Sequence, residues 1–228
     1  MQFTKWVILA AVASAPVMFG AQSAGSRLDD ASDVLKDMMK MDDKGVPQEL
    51  IDKAQCVVVV PGVKKAGFIL GAKYGKGFVA CRKASGGPGW SAPAAIRIEG
   101  GSVGFQIGLS EQDVILLVMN ERGQKKLLES KFTIGGEASA AAGPVGRDVS
   151  AQTDAQMHAE ILSYSRSRGL FAGIALQGAT LRPDEDANAQ MYGRALTNSE
   201  ILTSGVKAPD SAAQFESLLN RQSIHKEN

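Results

Sequence analysis

The sequence predicts an α+β protein: a curved antiparallel sheet of about nine strands, able to close as a barrel, with helices at the N- and C-terminal ends. Three observations predict it. Short β-branched or alternating segments, punctuated by Gly, Pro and polar turns, run from Cys56 to Met119 in the pattern of an antiparallel all-β region. Apolar residues recur at helical spacing before and after that stretch. The 25 glycines suit turns, bulges and close backbone contacts better than a helical bundle. So many strands curl or split rather than stay flat.

The first 23 residues read as a signal peptide. Lys5 supplies the positive start, Trp6 to Ala15 an apolar run too short to span a bilayer comfortably, and Ala21 and Ser23 are placed for cleavage before Ala24. No cysteine lies near that position, so a lipoprotein anchor is excluded, and export to a periplasm or medium is expected. Residues 24–55 form an N-terminal helical segment. Leu28, Ala31, Leu35 and Met38 share a face, with Asp29, Asp30, Asp33 and Asp37 early and mostly opposite, which predicts a helix from about Asp29 to Met41. Pro47 fits the first turn of a second helix running to Ala54.

Residues 56–195 form the core. Val57 to Val60 is a buried strand closed by Pro61-Gly62. Ala66 to Ala72 and Gly77 to Arg82 follow as strands around a Lys73-Tyr74-Gly75-Lys76 turn. Ala94 to Ile98, Ser102 to Leu109 and Val114 to Met119 continue the series. Asn120 caps a short helix carrying Leu127 and Leu128, and Lys131 to Ala141 returns to strand. Met157 to Tyr164 fits helix or strand, and the turn-like Ser165 to Gly169 before Leu170 to Leu176 favours strand. Pro183 opens a helix. Residues 196–228 form a helical tail, with capping-box spacing from Thr197 to Glu200 and Pro209 starting a last helix with Phe215, Leu218 and Leu219.

The search for catalytic chemistry finds no strong motif. Only two histidines occur, His158 and His225, and there is no Gly-x-Ser-x-Gly elbow. Gly71 to Gly77 imitates a phosphate loop, but Gly77 stands where Ser or Thr would hold magnesium. Asp184, Asp186 and Asn188 imitate a calcium loop that Ala189 and Ala195 spoil. Nothing in the sequence brings Cys81 to His158 as a nucleophile pair. No enzyme activity, metal or cofactor is expected.

Removing residues 1–23 leaves 24 basic and 24 acidic residues, a balance that argues against nucleic acid as a partner. That sum conceals a basic segment. No acid lies between Asp52 and Glu99, while Lys53, Lys64, Lys65, Lys73, Lys76, Arg82, Lys83 and Arg97 do. If the three strands of residues 56–82 form a simple meander, Lys64, Lys65, Arg82 and Lys83 gather at one end and Lys73 and Lys76 at the other. Four such cations could meet an anionic head group, each worth about 1 kcal/mol near a charged bilayer. The same meander sets Cys56 and Cys81 roughly 15 Å apart at about 3.3 Å per residue, too far for a disulfide. An even cysteine count in an exported chain favours one. Either the thiols are free or the strands are not simple neighbours.

Eight segments occur in the order of a known family. They are Val57-Val58-Val59-Val60-Pro61, Lys65-Ala66-Gly67-Phe68, Tyr74-Gly75-Lys76-Gly77, Trp90-Ser91-Ala92-Pro93, Gly104-Phe105-Gln106-Ile107-Gly108, Gly143-Pro144-Val145-Gly146-Arg147, Ser163-Tyr164-Ser165 and Gly169-Leu170-Phe171-Ala172-Gly173. Together, over about residues 30–195, they resemble the SYLF family. The resemblance implies a non-enzymatic domain that binds phosphoinositides or other anionic lipids, with the Gly143-Pro144, Gly146-Arg147 loop as a family motif. It implies actin as a partner only by analogy with eukaryotic members, and an exported chain would not meet cytosolic actin. The expected ligand is therefore an anionic lipid or membrane surface. The alternative is a structural or partner-binding envelope protein with no lipid ligand.

Overall fold

The computed structural model describes residues 22–40, 45–67, 70–83, 89–103, 108–146 and 154–222. Its architecture is α+β. A curled sheet of nine strands forms a half-barrel, with α1 (Ala24–Lys40) and α2 (Gln48–Lys53) before it and α5 (Glu185–Tyr192), α6 (Asn198–Thr203) and α7 (Ala213–Gln222) after it. The strands are β1 (Cys56–Gly67), β2 (Leu70–Cys81), β3 (Ala94–Val103), β4 (Gly108–Val118), β5 (Phe132–Thr133), β6 (Ala140–Ala142), β7 (Ile161–Ser167), β8 (Leu170–Gly173) and β9 (Thr180–Pro183). Two short helices, α3 (Glu121–Leu127) and α4 (Asp154–Met157), interrupt the series.

The sheet order is β5-β9-β3-β2-β1-β4-β7-β6, with β8 also on β7. β4 returns to lie beside β1, so β4-β1-β2-β3 is a Greek key. All pairings are antiparallel except β6 on β7. Strand alternation gives the sheet two apolar layers. Val57, Val59, Phe78, Ile115 and Tyr164 face α1 and α7, while Val58, Val60, Val79, Leu116 and Ile161 face the opposite layer, which also receives Phe132 and Ile201. Val57 to Val60 is fully buried because both faces are covered.

The count of nine agrees with expectation, but its partition does not. Pro61-Gly62 is a bulge inside β1, not a strand end. Six residues from Val59 to Lys64 face five from Phe78 to Tyr74, and Gly62 takes φ 56°. The expected turn at Lys73 to Lys76 lies in the middle of β2. A Cβ on Gly77 would stand 2.0 Å from the Val59 carbonyl oxygen, so this glycine permits close strand approach rather than a turn. Gly100-Gly101 lies within β3, and residues 110–113 lie within β4. Residues 154–157 are helical and β7 starts only at Ile161. β9 was not anticipated.

This partition resolves the cysteines. In a two-strand hairpin Cys56 pairs directly with Cys81, and the two form a buried disulfide with their Cα atoms 4.0 Å apart. The strands are not the neighbours a three-strand meander requires. Local caps follow the sequence closely. Asn120 accepts a hydrogen bond from the Gly123 amide, and Thr197 and Glu200 form a reciprocal capping box.

Candidate functional site

The four-cation edge is not formed. β1 and β2 run the length of the sheet, so Lys64 and Lys65 stand near their hairpin end, whereas Arg82 and Lys83 follow the end marked by the disulfide. Lys64 lies eight steps along β1 from Cys56, on the order of 25 Å at about 3.3 Å per residue. A meander with its turn at Lys73 to Lys76 would have folded these ends together.

Arg82 is committed to the fold. Its Nε donates to the Ala54 carbonyl at 3.1 Å and its Nη2 to that of Asp52 at 2.8 Å, closing the C-terminal end of α2. Its guanidinium also lies over the Trp90 ring, 4.6 Å from the centroid. Lys83 is exposed and lines a cleft of about 470 Å³ with Trp90, Lys207, Glu216 and Asn220. Burial pushes the Glu216 carboxyl above its ordinary range, and nearby Lys83 opposes that shift. Lys76 forms an ion pair at 2.8 Å with buried Asp184, which removes Asp184 from any calcium loop. Asn188, fully buried, accepts from the Ala95 amide at 2.7 Å and donates to Asn198. Cys81, held in the disulfide, has no thiol for His158 to activate.

At the hairpin end the bulge decides which way each lysine faces. Val60 and Val63 lie in the same apolar layer, so alternation from Val63 sends Lys65 to that face and Lys64 to the α1 face. Lys64 is exposed and stands directly opposite Glu111. Lys65 stands directly opposite Lys73, which is only 8% exposed. Burial holds the Lys73 ammonium below its ordinary pKa, and the Lys65 charge lowers it further. The β7–β8 turn leaves the sheet at the same end, because β7 runs antiparallel to β4 and β4 antiparallel to β1. Arg168 (φ 50°) and the 64%-exposed Leu170 occupy that turn. Sequence reasoning missed Arg168 and Leu170, and it set Lys73 apart from Lys65. Only the strand register exposes these neighbours.

On the α1 face, Arg166 donates from Nε to Asp113 at 2.7 Å and from Nη1 to Asp37, clamping α1 to the sheet. Asp113 also accepts from the Gly62 amide of the bulge at 2.9 Å. The motif loop serves packing: a Cβ on Gly143 would stand 2.0 Å from the Tyr164 ring, and one on Gly173 2.1 Å from the Gly143 carbonyl oxygen. Pro144 is half-buried, Gly146 takes φ 112° and donates to the Gly45 carbonyl, and Arg147 lies outside the described residues. Among the described residues no helix is long and apolar enough to cross a membrane.

Gly143, Tyr164 and Gly173 come from three separate motifs of the SYLF resemblance, and they meet in one contact inside an α+β half-barrel. The molecule is a domain of that class. Residues 99–222 match the Ysc84 family, described as a Las17-binding protein actin regulator, and the chain belongs to this family. It is 36% identical over 180 residues to SH3 domain-containing YSC84-like protein 1 of Xenopus laevis, covering 78% of this chain and 53% of that protein. The protein of the same name in Homo sapiens is 32% identical over 187 residues, covering 82% and 54%. Protein YSC84 of Saccharomyces cerevisiae is 29% identical over 212 residues, covering 90% and 45%. The chain spans about half the length of the curated relatives it matches.

Proposed function

We propose that this chain is a non-enzymatic lipid-binding module of the cell envelope, exported by residues 1–23 and cleaved near Ser23 and Ala24, that meets anionic membrane surfaces with the hairpin end of its sheet. The observation that carries this reading is the charge at that end. Lys65 and Lys73 stand opposite each other there, and the β7–β8 turn, which carries Arg168 and the exposed Leu170, leaves the sheet at the same end. Arg82, bonded to α2 carbonyls, is withdrawn from the site, and Lys83 lies at the far end. Attraction of this kind fades beyond about 10 Å at ordinary salt, so the cations must reach the surface together.

Sedimentation of the exported chain with vesicles of phosphatidylcholine, with or without phosphatidylglycerol, tests the reading. Binding should require the anionic lipid, weaken with salt, and fall several-fold in Arg168→Gln/Leu170→Ser. Equal binding to zwitterionic vesicles, or none to either, refutes it. N-terminal sequencing of the exported chain should begin near Ala24, and retention of Met1 would sink the export step. The family description, a Las17-binding protein, favours a second reading in which the chain docks an envelope protein instead. Recovery of a protein partner together with absent vesicle binding would select it.

A further inference from the structure

We propose that Lys65 and Lys73 form a two-point site for a single phosphate-type oxyanion on the sheet face opposite α1. The register fixes the geometry. The cross-strand row reads Ser110, Lys65, Lys73, Gly100, so no carboxylate flanks either cation on its own face. Glu111 and Glu99, the adjacent acids in sequence, belong to the other face, opposite Lys64 and Tyr74. Side chains directly opposite in an antiparallel pair have Cβ atoms about 5 Å apart, and like charges there repel.

The surroundings wall in the stem of Lys73 while its ammonium keeps some contact with water. A Cβ on Gly100 would touch the Lys73 stem at 3.5 Å and the Ala179 backbone at 3.1 Å, so the lysine lies along a wall that a larger residue would fill. Lys73 is 8% exposed, and among the described residues neither it nor Lys65 has an ion pair or side-chain hydrogen bond. Two neighbouring ammonium groups, one of them partly desolvated, repel each other unless an anion bridges them. An oxyanion offering one oxygen to each lysine supplies both missing partners, and lysine suits phosphate as a compact point charge. The depressed basicity of Lys73 is what an empty site of this kind would show.

The site depends on the membrane reading only for the source of its phosphate, a lipid head group or a soluble phosphorylated molecule. Inorganic phosphate is the probe. Titrating it into the full chain should move the lysine 13Cε resonances of residues 65 and 73 saturably and raise the titration midpoint of Lys73. Chloride at equal ionic strength should do neither. Lys65→Gln and Lys73→Gln should each weaken the response at least tenfold, and Lys64→Gln, on the opposite face, less than twofold. Circular dichroism confirms that each variant is folded.

A phosphate response no greater than that of chloride, or one lost equally in Lys64→Gln, overturns the site even if vesicle binding persists. Phosphate binding with no vesicle binding keeps the site, assigns it a soluble ligand and rejects the membrane reading. Parallel loss of phosphate and vesicle binding in Lys73→Gln supports the site with a lipid head group as its source.

Discussion

Opening the Cys56–Cys81 disulfide tests how much of this fold rests on one cross-link. The bond closes a loop of sequence separation 25 and ties β1 to β2 at the end away from their hairpin. Chain-entropy reasoning gives a denatured-state constraint of about 3.5 kcal/mol for a loop of that length. A protein of this size shifts its melting temperature by roughly 2–4 °C per kcal/mol, so the expected fall is roughly 7–14 °C. Urea unfolding followed by tryptophan fluorescence, with and without reductant, measures the loss. Cys56→Ala/Cys81→Ala should be insensitive to reductant. It should also be somewhat less stable than the reduced wild type, because both sulfurs fill fully buried positions. Alkylation before reduction should add no mass. Free thiols under non-reducing conditions, or a reductant effect below about 1 kcal/mol, would refute the reasoning.

Gly143→Ala drives a methyl into the Tyr164 ring and should cost about 3 kcal/mol. Gly101→Ala, whose Cβ meets nothing closer than 3.9 Å, should change the urea midpoint little. Arg166→Ala removes one charge-assisted bond to Asp37 of α1 and one to Asp113 within the sheet, and should cost about 2 kcal/mol in the same assay. A value near zero would mean α1 is held by its apolar face alone. Lys73 gives a pH test. Its folded-state pKa lies below the ordinary 10.5, so the unfolded chain binds that proton more tightly. Its destabilising contribution is full below the folded value and vanishes as pH rises to 10.5. Lys73→Met should therefore be more stable than wild type at pH 7 and lose that advantage by about pH 10. An advantage independent of pH would point to packing instead.

Helix ends were legible where capping is local chemistry, whereas α1 begins at Ala24 rather than Asp29 and Pro183 ends β9 rather than opening α5. Asn120, Thr197 with Glu200, Pro47 and Pro209 declare their roles within three or four residues. The strands were legible in kind but not in length. Pro61-Gly62, Gly75 and Gly77 look like turns in a linear reading, yet one is a bulge and the others admit the Val59, Val60 and Val63 atoms of the neighbouring strand. A glycine required by a distant strand looks the same in sequence as one required by a turn. That ambiguity moved the hairpin, and with it every cation. Lys64 and Lys65 do lie together at the hairpin end, but Arg82 and Lys83 stand at the other. Arg82 was read as a surface charge because nothing in sequence marks the α2 carbonyls as its partners. Thr180–Pro183 is too short to alternate visibly, so β9 had no signature.

The outermost members of the sheet are stubs. β5 offers two residues at one margin, while β6 and β8 offer three and four at the other, although the inner strands run to twelve. Long valine-rich strands are templates for self-association wherever a flank is left open, and very short margins deny an incoming chain its ladder. The protein can therefore hold its most aggregation-prone segment, Val57 to Val60, in the middle of the sheet. A lengthened β5 would turn that protection into a seam for fibre growth.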